Sequence, residues 1–293
     1  MITPSYQQGR FIGRTIESVL IQRSRDVELD YVVCDGGSRD ETVEILRSYG
    51  DDLMWVSEPD DGQADAVNKG LAMTSGDIIA WVNSDDVYYP GAFAMVQAIF
   101  VAHPEIHALY GHADHIDQAD QVLEAYPVEA WNYARLKQSC YLCQPAVFFR
   151  RSLVKQWGGL DATLQYCMDY ELWLRYGQHV PFYFLPQRLA GSRLYAENKT
   201  LGQRISVHTE INDMLRHRLG KVPDPWIFRY SHVKLEDTLH LDRRQPEDNR
   251  RFFTALVKES WLAFWHWNRG ISLTGLWQLI RWVIRGTPKR WGR

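Results

Sequence analysis

Short strand-like apolar runs alternate with amphipathic helical stretches over about the first hundred residues, which restricts this chain to an α/β architecture. Gly9 to Gln22 carries Phe11, Ile12, Thr15, Ile16, Val19 and Leu20 at helical spacing, and Tyr31 to Cys34 is a short β-rich run. Ser38-Arg39-Asp40-Glu41 has the form of a capping box opening a helix with Val43, Ile45 and Leu46. Leu53 to Val56 reads as a strand, Gln63 to Leu71 as a helix and Ile78 to Val82 as the next strand. Strands joined through helices pair in parallel with helices on both faces, so the loops that follow them share one edge. Met1-Ile2 leaves only a short first strand before the expected turn Thr3-Pro4-Ser5-Tyr6.

Open sheets of this kind bind ligands at that edge, and here its loops are acidic. Thr3-Pro4-Ser5-Tyr6, Asp35-Gly36-Gly37-Ser38, Glu58-Pro59-Asp60-Asp61-Gly62 and Ser84-Asp85-Asp86 would line one crevice. Asp85 and Asp86 are adjacent with no Lys or Arg between them, and their repulsion is relieved when a divalent cation and a phosphorylated ligand arrive. Alone, the pair also fits an acidic turn capping a helix at Pro90. A nucleotide diphosphate bridged by a metal accounts for the whole collection. Gly-x-Gly-x-x-Gly and Gly-x-x-x-x-Gly-Lys-Ser/Thr are both absent after the strands, which disfavours a Rossmann dehydrogenase and a P-loop NTPase.

With 293 residues, 45% apolar and 24% charged, the chain can bury an ample core. A net charge of -3 gives no global attraction to nucleic acid. Cys34, Cys140, Cys143 and Cys167 are few and irregularly spaced, which fits a reducing compartment, and Cys140-x-x-Cys143 reads as apolar packing. No secretory signal and no membrane-spanning run is read, so the catalytic body is expected to face the cytoplasm. His112 and His115 lie three apart on an expected solvent-exposed strand, hence on opposite faces and not in a metal site.

Seven ordered motifs together resemble the inverting glycosyltransferases of family 2, which have the GT-A fold and use nucleotide-activated sugars. They are Thr3 to Tyr6, Asp35 to Thr42, Ser57 to Gly62, Asp65 to Gly70, Asn83 to Asp86, Gln144 to Phe149 and Met168 to Arg175, and the likeness runs from Ile2 to about Thr200. The resemblance implies that Thr3, Pro4 and Tyr6 lie beside the nucleobase and that Asp35 hydrogen-bonds it. It implies that Asp65 and Lys69 belong to the nucleotide-sugar site, that Asp85 approaches the ribose or sugar, and that Asp86 binds Mn²⁺ or Mg²⁺. Arg193 and Lys199 resemble the segment over the diphosphate. Tyr195 stands where many members have His, and Val67 where many have Arg.

Asp169 matches the family's general base, suited to take the acceptor proton if a partly apolar pocket raises its pKa. Glu171 is the fallback, although it lies about 200° round the helix. The implied reaction moves a sugar, with inversion, from a nucleotide-diphosphate donor, UDP first, to a carbohydrate or lipid-linked carbohydrate hydroxyl. Synthesis of a cell-surface polysaccharide or glycolipid follows from that. Two other readings are a non-catalytic nucleotide-sugar-binding scaffold and a metal-dependent nucleotidyltransferase. The expected domains are 1–205, the glycosyltransferase fold with a nucleotide-sugar half (1–110) and an acceptor half (111–205), and 206–293, a helical extension.

That extension ends in an unusual composition. Beyond Glu259 there is no acid, yet Arg269, Arg281, Arg285, Lys289, Arg290 and Arg293 are interleaved with six Trp. Leu273, Leu276, Trp277, Ile280 and Ile284 share one helical face, with Thr274, Gln278, Arg281 and Arg285 on another. This reads as a helix lying in a membrane interface, with a helix packed on the body as the alternative.

Overall fold

The computed structural model describes residues 1–196, 198 and 202–285, with side chains to Trp282. It divides into two compact units, the first made of Met1–Leu136 and Cys140–Ala196. In that unit β1 (Ile2–Ser5), β2 (Val32–Asp35) and β3 (Met54–Ser57) form a parallel sheet in the order β1-β2-β3. Helices α1 (Gly9–Leu20), α2 (Thr42–Ser48) and α3 (Gln63–Met73) alternate with them. Ile2, Val32 and Val33 are buried, and α1 seats Ile12, Ile16 and Val19 in the core. Gly70 of α3 lies against Ile2, where a Cβ would come within 2.5 Å of the Ile2 side chain.

Strand β4 (Ile78–Ile79) continues into a parallel bridge between Trp81 and Ile2. The Ile2 N–H donates to Ala80 O at 3.2 Å and the Val82 N–H to Ile2 O at 3.0 Å. The next donor in that ladder would be Pro4, which has no N–H, so the pairing stops and the strands part. The loop carrying Asn83 to Asp86 leaves the sheet at this point, after Val82.

Thr3 and Pro4 are therefore strand residues, not a turn, with Pro4 beside Cys34 of β2. The expected capping box is also displaced. Helix α2 begins at Thr42, whose N–H donates to Asp40 Oδ1 at 3.1 Å, while Ser38 serves Asp35 instead.

Beyond β4 the sheet is mixed, in the order β4-β8-β6-β9-β5, with β5 (Val87–Tyr88), β6 (Ala108–Ile116), β8 (Val147–Arg150) and β9 (Phe182–Arg193); β7 (Val122–Ala125) pairs with β6. Helices α4 (Ala92–Ala102), α5 (Tyr133–Leu136), α6 (Arg151–Trp157) and α7 (Met168–Gly177) complete the unit. His112 and His115 lie on β6, a largely buried central strand and not the solvent-exposed one expected.

In the second unit the described residues from 204 onward are helical: α8 (Arg204–Leu219), α9 (Asp224–Leu239), α10 (Pro246–Asn268) and α11 (Leu273–Arg285). Phe228 packs on Phe264 and Trp282, and Tyr230 on Trp267. Asn268 ties the end of α10 to Val222 by two hydrogen bonds of 2.8 Å. No described helix is long and apolar enough to cross a membrane.

Candidate active site

Helix α1 holds the acidic loop after β4 through a polar stripe. Thr15 Oγ1 lies 2.9 Å from Ser84 O and 2.8 Å from Asp86 O, and is buried. One turn on, Ser18 Oγ accepts the Tyr88 N–H at 3.1 Å; a turn further, Gln22 Nε2 donates to Tyr89 O at 3.0 Å. The sequence pattern counted Thr15 as part of an apolar face. Its spacing with Ser18 and Gln22 was the available signal of a polar stripe.

Asp86 is only 4% exposed, and its Oδ1 accepts the Arg193 N–H at 2.7 Å. Burial first, and then the neighbouring Asp85 charge, push its carboxyl well above the usual range. Asp85 Oδ2 accepts the Tyr195 hydroxyl at 2.7 Å, and Gln8 Nε2 reaches the same phenol at 3.4 Å. Tyr195, a departure from the family pattern, thus belongs to the acidic loop's hydrogen-bond network.

Arg193 faces elsewhere than expected. Its guanidinium is buried over the Phe11 ring, donating to Asp85 O and Asp117 O at 2.6 Å and pairing with Asp120 at 2.5 Å. It braces the backbone of Asp85 and is not directed at an open crevice. Lys199 and Thr200 lie outside the described residues.

Thr3 is also corrected: it is fully buried, with its hydroxyl 3.0 Å from the Tyr31 hydroxyl, so it faces the core and no ligand. Pro4 is buried in β1, and Tyr6 is exposed beyond the strand's end. Ser5, not expected as a site residue, ends the strand with a buried Oγ that has no hydrogen-bond partner.

Asp35 is buried and accepts from the Ser38 N–H at 2.9 Å, Ser38 Oγ at 2.5 Å and Ser57 Oγ at 2.6 Å. Asp60 stands beside it, accepting the Gly62 N–H at 2.9 Å, and burial raises its pKa most. Gly36 makes room for it, since a Cβ there would come within 2.8 Å of Asp60 Oδ2. Lys69 pairs with Asp65 at 3.4 Å and Glu58 at 3.3 Å, bridging the two acids.

Asp169 is half-buried in the first turn of α7, its Oδ1 accepting the Tyr170 N–H at 2.7 Å. Glu171 has a different position. It is 1% exposed and paired with Arg175 through contacts of 2.8 and 3.1 Å, while Arg175 also donates to Gly159 O at 2.6 Å. The fallback base is thereby a structural ion pair. Asn68 of α3 fixes the same loop, its amide donating to Leu160 O and accepting the Leu160 N–H, both at 2.9 Å.

Cys143 links the two acidic regions. Its buried thiol is raised well above its ordinary pKa by burial first, and then by the charges of Asp86 and Asp169. Both carboxylates therefore lie within electrostatic reach of one buried atom.

The residues fit a hard divalent cation. Asp86 is a buried carboxylate disfavoured as an anion beside Asp85, and carboxylate oxygen is the donor that Mn²⁺ and Mg²⁺ prefer. No group of three His, Cys, Asp or Glu side chains able to hold a metal occurs among the described residues. The remaining ligand positions would fall to phosphate oxygens and water.

Residues 1–158 match the family described as glycosyl transferase family 2, and the chain belongs to that family. An uncharacterized glycosyltransferase of Rickettsia prowazekii is 27% identical over 213 residues, covering 68% of this chain and 65% of the relative. The chain thus spans less than two thirds of that relative's length. Among solved structures, S. aureus TarS 1–349 in complex with UDP-GlcNAc superposes with a TM-score of 0.63 at 14% identity, covering 99% of this chain and 92% of that one. The mannosyltransferase PcManGT of Pyrobaculum calidifontis, in complex with GDP-Man and Mn²⁺, gives 0.58 at 18% identity, covering 98% and 80%. The fold is the GT-A α/β fold with a helical C-terminal part.

Proposed function

We propose that this chain transfers a sugar from a nucleotide-diphosphate sugar to a hydroxyl of a carbohydrate or lipid-linked carbohydrate, with inversion at the anomeric carbon. The observation that carries the reading is the buried Asp86 of the loop after β4, its Oδ1 held by the Arg193 N–H at 2.7 Å, with Asp169 half-buried in the first turn of α7 of the same unit. Asp169 would take the acceptor proton as the hydroxyl oxygen forms the new bond and the nucleoside diphosphate leaves from the opposite face. Inversion needs one base and no protein nucleophile, and Glu171, the other acid of that turn, is held by Arg175.

Asp86 would hold Mn²⁺ or Mg²⁺, which when bound neutralises charge on the leaving diphosphate. Asp85 would orient the ribose or sugar, and Arg193 would act by bracing Asp85. Pro4, Tyr6, Asp35, Asp65 and Lys69 would surround the nucleotide. The complexes of TarS with UDP-GlcNAc and of PcManGT with GDP-Man and Mn²⁺ support a nucleotide sugar and a divalent cation, and we assign UDP. The products would be cell-surface polysaccharide or glycolipid, made at the cytoplasmic face of a membrane.

Thermal stabilisation across a panel of nucleotide sugars, with and without Mn²⁺, tests the donor. A metal-dependent shift with a UDP-sugar is expected, followed by product of inverted anomeric configuration with a sugar acceptor. Absence of stabilisation by every donor, or a retained configuration, overturns the reading.

A further inference from the structure

Helices α10 and α11 turn large apolar side chains away from their own core. On α10 the buried side is Ser260, Ala263, Phe264 and Trp267, while Trp261, Leu262 and Trp265 are exposed. On α11 the packed side is Gly275, Leu279 and Trp282, with Gly275 against Phe264 and Trp282 against Phe228. Its more apolar side, Leu273 (87% exposed), Leu276, Trp277 (68%) and Ile280, faces outward. The helix therefore packs through a narrow edge, and its Trp- and Leu-rich face is left without a protein partner in this unit.

Exposed Trp and Leu beside cations, with no acid in the chain after Glu259 and with Asp224 engaged by Ser272 and Thr274 at the start of α11, is the composition of a surface that lies in a lipid interface. Lys258, Arg269 and Arg281 are exposed on these helices, and no Asp or Glu follows Glu259. We propose that the α10–α11 hairpin docks on an anionic lipid surface, with Trp261, Trp265, Trp277 and Ile280 entering the headgroup boundary and Arg269 and Arg281 meeting lipid phosphates. Charge decides against a second copy of the chain as occupant. Two such faces meeting would bring cations together with no acid after Glu259 to pair with them.

The proposal names the partner of a membrane location already assigned above, but it does not depend on sugar transfer. Vesicle binding is measured without donor, and donor stabilisation without vesicles, so either can fail alone. The full chain is sedimented with phosphatidylcholine vesicles with and without phosphatidylglycerol. Binding to the anionic vesicles, weakened by salt, is expected. Trp265→Glu with Trp277→Glu should lower it by about tenfold or more, since each change places a charge in the apolar boundary. Leu273→Glu, at the most exposed position, serves as a second variant if the double substitution does not fold.

Three results overturn the proposal: the parent ignoring anionic vesicles at low salt, both variants binding like the parent, or a dimer in solution that these substitutions dissociate.

Discussion

The Tyr195 hydroxyl donates to Asp85 Oδ2 at 2.7 Å, coupling the last residues of the β9 segment to the acidic loop after β4. Asp85 is also braced through its carbonyl by Arg193 at 2.6 Å. Side chain and backbone of one acid are thus fixed by two residues of the same segment. Tyr195→Phe keeps the ring against Phe11 and removes only the donor. A charge-assisted hydrogen bond is worth about 1.5–3 kcal/mol, so donor affinity should fall by about tenfold to a hundredfold, read by calorimetry. Tighter binding in the variant would identify the phenol as a competitor for Asp85.

Asp86→Asn should separate stability from function. Because burial and the Asp85 charge raise the folded-state pKa of Asp86 above its unfolded value, stability is lost as pH rises from about 4 towards the folded-state pKa. The amide removes the charge, so the ligand-free protein should melt higher at pH 7 and at an unchanged temperature near pH 3. Donor with Mn²⁺ should no longer stabilise it. A lower melting temperature at pH 7 would show that the ionised acid is structurally needed.

Asp169→Asn should lower turnover by about a hundredfold or more with donor affinity nearly unchanged, because the amide cannot take a proton. Glu171→Gln should behave differently. It leaves Arg175 without its buried partner, at a cost of about 3–5 kcal/mol, seen as a lower melting temperature. Normal turnover in Asp169→Asn would remove it as the base.

Asn68→Ala should release the loop before α7. It deletes both hydrogen bonds to Leu160, together worth about 2 kcal/mol. Amide exchange across Gly158–Leu160 should quicken while that of the β1-β2-β3 sheet stays slow. Uniform exchange in both regions would deny the clamp.

His208 and His232 in the helical unit have pKa values lowered chiefly by burial. Each binds a proton more readily when unfolded than when folded, so stability falls as pH drops through about 6.5. His208→Gln with His232→Gln should flatten the melting temperature between about pH 7 and 5. Unchanged pH dependence in that variant would place the sensitivity elsewhere.

Much of the architecture was legible because it is written in local periodicity. Helix α1 and the strand of Val32 and Val33 follow from apolar spacing alone, and of the acids Asp35 ends β2 while Asp60, Asp85 and Asp86 fall in loops after strands. The Glu171–Arg175 pair has the four-residue spacing of side chains that meet on a helix, although the sequence reading offers Glu171 as a fallback base. Side-chain direction was not. Thr3 and Arg193 carry polar groups that a motif reads as ligand contacts, yet Tyr31 and Asp120, distant in sequence, turn them inward. Thr15 and Asn68 gain their roles only from the carbonyls and amides that folding brings to them. In the tail, composition alone established a Trp-rich cationic helix. Only the packing of Gly275, Leu279 and Trp282 decided that its more apolar face points outward, because the close approach to Phe264 selects the small residue and so sets the helix's rotation.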